Sequence, residues 1–320
     1  MLKERIITAL VLLLLIISSL FLFTPVWFLI IFSIFILAGI WEWIELCDVS
    51  NKIKYYLYFF NLIFISILLP GFLIFTYSGQ IDFIDSNNYN NFTISYSFFI
   101  LCSLSVLCII SLIFWFVVIP VQIISYQIKK YILFTKSALF NSFVGIFLLW
   151  GFWSIVALLY SGQLINELNI NKYYIVFLLL VVSSADIAAY FTGKKIGKRQ
   201  LACNISPSKT WEGTIGGLIA GASIALFLAH LFQEYQHFLI IGNSFILLNH
   251  KFEELILLTI FIVIFSVFGD LYVSILKREA GKKDSGKLFP GHGGGLDRID
   301  SLMGACPAYF LCLLFLSSTN

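Results

Sequence analysis

Apolar residues run along this chain in long blocks, and polar residues collect in the gaps between them. A run of about 18 or more apolar residues can cross the hydrocarbon core of a bilayer. Such runs lie near residues 6–23, 26–46, 55–75, 97–119, 138–159, 172–190, 214–233, 255–275 and 301–317. The pattern predicts an all-α polytopic membrane protein of about nine transmembrane helices. Merging or splitting the first two runs changes that number by one. The first run also has the outline of a secretory signal, because Lys3 and Arg5 precede its apolar core. No small-residue cleavage site follows, and Pro25 leads straight into the next run, so an uncleaved helix is expected.

Composition sharpens this picture. With 60% hydrophobic and 12% charged residues, and a mean hydropathy of +0.97, an ordinary soluble domain is excluded. The net charge of +3 matters less than its distribution. With the N-terminus in the cytoplasm, the inside segments hold Lys3, Arg5, Lys52, Lys54, Lys129, Lys130 and Lys136. Two later inside loops add Lys194, Lys195, Lys198, Arg199 and Lys209, then Lys277, Arg278, Lys282, Lys283, Lys287 and Arg298. Of the 20 basic residues, only Lys172 and Lys251 fall outside. That bias is the positive-inside pattern, and it puts the C-terminus outside. Basic residues gathered on one face attract anionic headgroups and nucleotides alike. Nothing in the sequence points to DNA or RNA.

Other features add little chemistry. The six cysteines form no C-x-x-C pair, which argues against zinc and a disulfide framework. The outside loop around residues 77–97 is asparagine-rich and is assigned no function; its Asn91-Phe92-Thr93 triplet fits a glycosylation sequon. Trp41-Glu42-Trp43-Ile44-Glu45 sets two acids beside aromatics at a membrane border, a pattern that interfacial anchoring explains. No internal repeat is apparent, which disfavours a repeat-built transporter.

Chemistry concentrates between Phe268 and Ser301, a segment that opens inside one apolar run and closes against another. It contains Asp270, Lys277, Arg278, Glu279, Lys282, Lys283, Asp284, Lys287, Asp297, Arg298 and Asp300. Charges at such a border are costly to bury and usually mark a site. If the preceding helix continues, Asp270, Ser274, Lys277 and Arg278 share one face. The stretch 281–295, rich in glycine and broken by Pro290, is a loop whose backbone N–H groups can approach an anion closely. Asp297, Asp300 and Ser301 then recur at helical spacing as a new helix begins. Two carboxylates on one face, with Asp270 brought from elsewhere, suit a hard cation such as Mg²⁺. The lysines and arginines around them suit phosphate groups. A basic cytoplasmic loop obeying topology rules would explain the lysines, but not three acids and a histidine set among glycines.

A second constellation spans residues 183–221. Asp186 sits inside an apolar helix with Tyr190 one turn on, and an intramembrane acid is a functional candidate or a pairing group between helices. Gly193-Lys194-Lys195-Ile196-Gly197-Lys198 has the outline of a phosphate-binding turn without P-loop spacing. Ser206, Lys209, Thr210 and Glu212 beside a helix start suit phosphate at the positive dipole end, with helix capping as the structural alternative. Glycines 216, 217 and 221 read as close helix packing.

The motif Ser274-x2-Lys277-Arg278-x4-Lys283-Asp284-x-Gly286-x2-Phe289-Pro290-Gly291-His292-Gly293-Gly294, followed by Leu296-Asp297-Arg298-Ile299-Asp300-Ser301, resembles the C-terminal motif of phosphatidate cytidylyltransferases (CDP-diacylglycerol synthases). Asp186-x2-Ala189-Tyr190 and Ser206-Pro207-x-Lys209-Thr210-Trp211-Glu212-Gly213 resemble internal motifs of the same family, in the same order. One departure is that three glycines, Gly293 to Gly295, follow His292 where the family commonly has two and a larger residue. The resemblance covers roughly residues 172–301 and matches the earlier spans only in hydrophobicity.

The resemblance implies transfer of CMP from CTP to phosphatidate, in the inner (cytoplasmic) membrane of a bacterium, with one or two Mg²⁺ ions and a possible homodimer. Residues 1–137 would be N-terminal transmembrane helices. Residues 138–320 would be a catalytic transmembrane domain with two cytoplasmic site loops, 191–213 and 276–300. Asp270, Asp297 and Asp300 would ligate metal. Lys209, Lys277, Arg278, Lys283 and Arg298 would hold phosphates. Ser206, Thr210, Asp284, His292, Gly293 and Gly294 would complete the nucleotide site, and Asp186 could contact cytidine, support metal or pair helices. Two other classes fit parts of the pattern. A transporter would place its polar residues near the midplane, and a polyprenol or dolichol kinase would move the γ-phosphate instead.

Overall fold

The computed structural model describes residues 15–81, 91–129, 137–161, 171–234, 252–288 and 293–319. Almost every described apolar block is a helix. After a helical segment at 15–21, the elements are α1 (Pro25–Leu46), α2 (Asn51–Ile81) and α3 (Asn91–Ile113), then α4 (Ile119–Lys129) and α5 (Ala138–Ser161). Next come α6 (Asn171–Ile196), strands β1 (Gln200–Ala202) and β2 (Ser206–Thr210), α7 (Trp211–Glu234), α8 (Phe252–Glu279) and α9 (Leu296–Thr319). Among the described residues, eight helices are long and apolar enough to cross a membrane. The first half of the expected run at 6–23, residues 6–14, lies outside the described residues.

Two expectations change. The run near 97–119 extends to Lys129, because a π-helical turn at Phe114–Val118 joins α3 to α4. Pro120 stands two residues after that turn. Proline lacks an N–H and clashes with the carbonyl four residues back, and here that carbonyl belongs to Phe116, inside the widened turn. The second difference is that the 191–213 segment is not simply a loop. α6 runs on through Ile196, so Gly193–Ile196 is helical and not a phosphate-binding turn. β1 and β2 then form an antiparallel hairpin, pairing Gln200 with Thr210 and Ala202 with Ser206. Among the described residues, these short polar strands form the one sheet.

α5 is the central helix. It packs against α1, α3, α6 and α9, and its Leu148, Trp150, Trp153, Ile155 and Ala157 are almost solvent-free. A helix apolar all round belongs in such an interior position. Its two indole N–H groups reach polar partners on other helices, Trp150 Nε1 on Asn61 Oδ1 at 2.7 Å and Trp153 Nε1 on Ser33 Oγ at 2.9 Å. In a bilayer an unmet N–H costs several kcal/mol, so these pairs fix how α1, α2 and α5 sit together.

Small residues set the close crossings. A Cβ at Gly269 would meet the Asp300 carbonyl, and one at Gly304 the Phe265 carbonyl, so α8 and α9 touch backbone to backbone. That contact is what brings the Asp270 and Asp300 turns together. Gly217 packs on Ala185 and Ala189, and Gly221 on Val263 and Thr259, as packing glycines should.

Candidate active site

α1, α4, α6 and α8 end, and α7 and α9 begin, at the same end of the bundle. Side chains join these termini: Asn204 Nδ2 donates to Gln127 O at 2.7 Å, Arg278 Nε to Ile205 O at 3.3 Å, and Lys282 Nζ to Glu45 O at 3.4 Å. The hairpin tip, anchored by the fully buried Ile205, therefore lies over the ends of α4 and α8.

A polar cluster forms beneath it. Lys209, at the end of β2, makes an ion pair with Asp270 of α8, Nζ to Oδ2 at 2.6 Å. Ser274, one turn on from Asp270, donates its hydroxyl to Asp270 Oδ1 at 3.2 Å. Lys277 continues that face and reaches Asp297 Oδ1 of α9 at 2.8 Å. Asp300 is buried one turn further along α9, takes the Ser301 N–H at 2.8 Å, and lies within electrostatic reach of Asp270, Lys277 and Lys209. Asp186 of α6 faces the same group, within reach of Lys209 and Asp270 and of the Ser301 hydroxyl. The helical spacing of Asp270, Ser274 and Lys277 thus becomes a real shared face, and four elements contribute to one cluster.

Other candidate residues divide. Thr210 Oγ1 accepts the Gly213 N–H at 3.1 Å, so this hydroxyl caps α7. Glu212 Oε2 takes the Lys198 and Arg199 N–H groups at 3.1 and 3.2 Å, tying the hairpin's entrance to α7. The Ser206 hydroxyl lies 3.4 Å from that of Ser208. Lys283 and Asp284 are exposed in the loop, with Asp284 against Gly293, and Arg298 is exposed on the first turn of α9. Gly293 has φ +83°, a conformation glycine adopts without strain. His292 lies outside the described residues.

The three-aspartate metal set is not assembled as expected. Among the described residues, no group of three or more His, Cys, Asp or Glu side chains is placed to hold a metal ion. Asp297 is already engaged. Its Oδ1 holds Lys277, and its Oδ2 accepts the Ser285 N–H at 2.8 Å, the Ser285 hydroxyl at 3.0 Å and the Gly294 N–H at 3.0 Å. Asp270 is engaged too, by Lys209 and Ser274, and it lies within electrostatic reach of Asp300 across the α8–α9 crossing.

Sequence reasoning missed Glu42. Its aromatic neighbours suggest an interfacial anchor, yet it is only 7% exposed and accepts hydrogen bonds from Ser285, Gly295 and Leu296. The one available signal was its position, an acid within an apolar helix.

Comparison with known proteins supports one family. A sequence profile described as the Cytidylyltransferase family matches residues 3–316. The phosphatidate cytidylyltransferase of Haemophilus influenzae is 32% identical over 316 residues, 97% of each chain. That of Pseudomonas aeruginosa is 30% identical over 309 residues, covering 97% of this chain and 96% of its own. A match to the Bacillus subtilis phosphatidate cytidylyltransferase reaches 43% over 151 residues, 46% of this chain and 51% of that one.

Proposed function

The chain belongs to the phosphatidate cytidylyltransferase family, and from that premise we propose that it transfers CMP from CTP to phosphatidate at the polar cluster described above. A phosphate oxygen of phosphatidate attacks the α-phosphorus of CTP. The bond from that phosphorus to the bridging oxygen breaks, and pyrophosphate leaves. The nucleophile is largely ionised near neutral pH, because the second pKa of a phosphate monoester is about 6. No strong protein base is required. The difficulty lies in bringing a polyanionic nucleotide to an anionic lipid, so positioning and charge neutralisation carry the catalysis.

The observation that carries this reading is the convergence of Lys209, Asp270, Lys277 and Asp300 from three separate elements. Each lysine is held by a carboxylate before any phosphate arrives. It can therefore exchange that partner for a phosphate oxygen with little reorganisation. Arg278, Lys283 and Arg298 add positive charge around the departing pyrophosphate. Asp270 and Asp300 would hold magnesium, which when bound neutralises nucleotide phosphate charge. The glycine turn, with His292, would meet the triphosphate, and Asp186 would contact cytidine, support metal or pair helices. Phosphatidate enters laterally, leaving its tails in the bilayer.

The positive-inside distribution supports placing this end of the bundle in the cytoplasm, with the chain in a bacterial inner membrane. The test uses purified protein in mixed micelles with phosphatidate, Mg²⁺ and CTP labelled separately at the α- and γ-phosphates. Label from the α position in lipid, with release of pyrophosphate, is expected. Label from the γ position in lipid would replace this reading with a lipid kinase.

A further inference from the structure

Near the end of α1 stand Trp41, Glu42 and Trp43, whose side chains part. Trp41 is 55% exposed, whereas Trp43 is fully buried and donates Nε1 to Asn141 O at 3.0 Å. Glu42, between them, is buried with its carboxylate directed into the loop that joins α8 to α9. Its Oε1 accepts the Gly295 N–H at 3.0 Å. Its Oε2 accepts the Leu296 N–H at 2.9 Å and the Ser285 hydroxyl at 2.8 Å. Gly295 and Leu296 stand where α9 begins, so a carboxylate from the other end of the chain satisfies two of that helix's unmet N–H donors.

The glycines of the loop record the same contact independently. A Cβ at Gly286 or at Gly294 would collide with the Glu42 carboxylate. Two glycines in the motif are thus required by the approach of Glu42. Ser285 links it onward, because its hydroxyl sits between Glu42 Oε2 and Asp297 Oδ2, at 2.8 and 3.0 Å. Glu42 and Asp297 both hold the turn, and Asp297 also holds Lys277.

We propose that Glu42 is a positioning residue, which fixes the 293–296 turn and thereby sets where Lys277 and the glycine backbone meet the nucleotide phosphates. The nucleotide part of this proposal rests on the function given above. The substitution E42Q keeps the size of the side chain but puts an amide NH₂ where an oxygen accepted N–H or O–H donors. Charge-assisted hydrogen bonds of this kind are the stronger ones, so their loss should be large enough to read.

Two measurements on the full chain in detergent test it. Hydrogen exchange without nucleotide should accelerate about ten-fold or more across residues 284–297 in E42Q, with residues 255–268 of α8 unchanged. In steady-state assays E42Q should raise KM for CTP by roughly ten-fold while leaving KM for phosphatidate near wild type. A purely structural role would lower the amount of active enzyme and leave both KM values alone. Wild-type KM for CTP in E42Q overturns the proposal, as does unchanged exchange in the turn. Should E42Q fail to fold, S285A removes only the hydroxyl link and should shift KM for CTP in the same direction, by about three-fold; an unshifted value there overturns it equally. If the wild-type chain moves no CMP, the functional reading fails separately. The exchange experiment, which needs no turnover, still decides whether Glu42 holds the turn.

Discussion

Two connections at the same end of the bundle border the cluster, one carrying Lys209 and the other following Lys277 at the end of α8, and they are held in different ways. Between α6 and α7 the polar residues serve one another. Thr210 caps α7, Glu212 takes the Lys198 and Arg199 N–H groups, and all these partners lie within 14 residues in the chain. This connection's outward contacts are Lys209 to Asp270, Asn204 to the Gln127 carbonyl, and the Ile205 carbonyl taken by Arg278. Between α8 and α9 the loop is held mostly from outside. Glu42 bonds it from more than 240 residues away, and Asp297 clasps it across 12. The first connection is a locally folded arm, whereas the second takes its shape from the bundle around it. Small polar residues beside a helix start therefore say little by themselves, since the same residue types serve capping in one place and a candidate site in the other.

Changes where the two connections meet should have the largest effect. D270N and D300N each remove a carboxylate from the α8–α9 crossing, and CMP transfer should fall about a thousand-fold in either, with folded protein still recovered from the membrane. Full activity in both variants would separate the cluster from the chemistry. K209M and K277M should each lower kcat/KM about a hundred-fold, measured with CTP varied at saturating phosphatidate. If K277M were harmless while K209M was not, the α8–α9 loop would lose its part in the comparison.

Stability gives smaller, sharper contrasts. A Cβ in G269A would strike the Asp300 backbone, so about 2 kcal/mol of overpacking strain is expected, read as a lowered melting midpoint in detergent. Gly281, with φ +64° and open space around it, should cost only about 1 kcal/mol as alanine. Equal losses would mean that α8 and α9 do not cross at that point. T210V should cost about 1 kcal/mol and T210S much less, the behaviour of a helix cap. A phosphate ligand would show instead as a raised KM for CTP.

The membrane-spanning helices were legible because apolar run length is a direct physical requirement of the bilayer. The face shared by Asp270, Ser274 and Lys277 was legible because helical periodicity alone places it. The length of α3 through α4 was not, since Pro120 reads as a stop unless the π turn before it is known. The hairpin at 200–210 was missed because its strands are short, polar and carry Pro207, which strand pairing tolerates only at an edge. Glu42 was missed for a different reason. Two of its three partners are backbone N–H groups, which every residue has, so no side-chain pattern points to them. Asp297 shows a related limit of spacing: its distance from Asp300 suggests a metal pair, and nothing in the sequence shows that Lys277, Ser285 and the Gly294 N–H bond it.

The central claim is that the hairpin and the α8–α9 helices form one site through Lys209 and Asp270. A double-mutant cycle tests it most directly, with CMP transfer from α-labelled CTP followed in K209M, D270N and the double variant. If the pair acts as a unit, the double variant should be no slower than D270N alone, a large departure from additivity. Losses that multiply, as for two independent sites, would contradict the account.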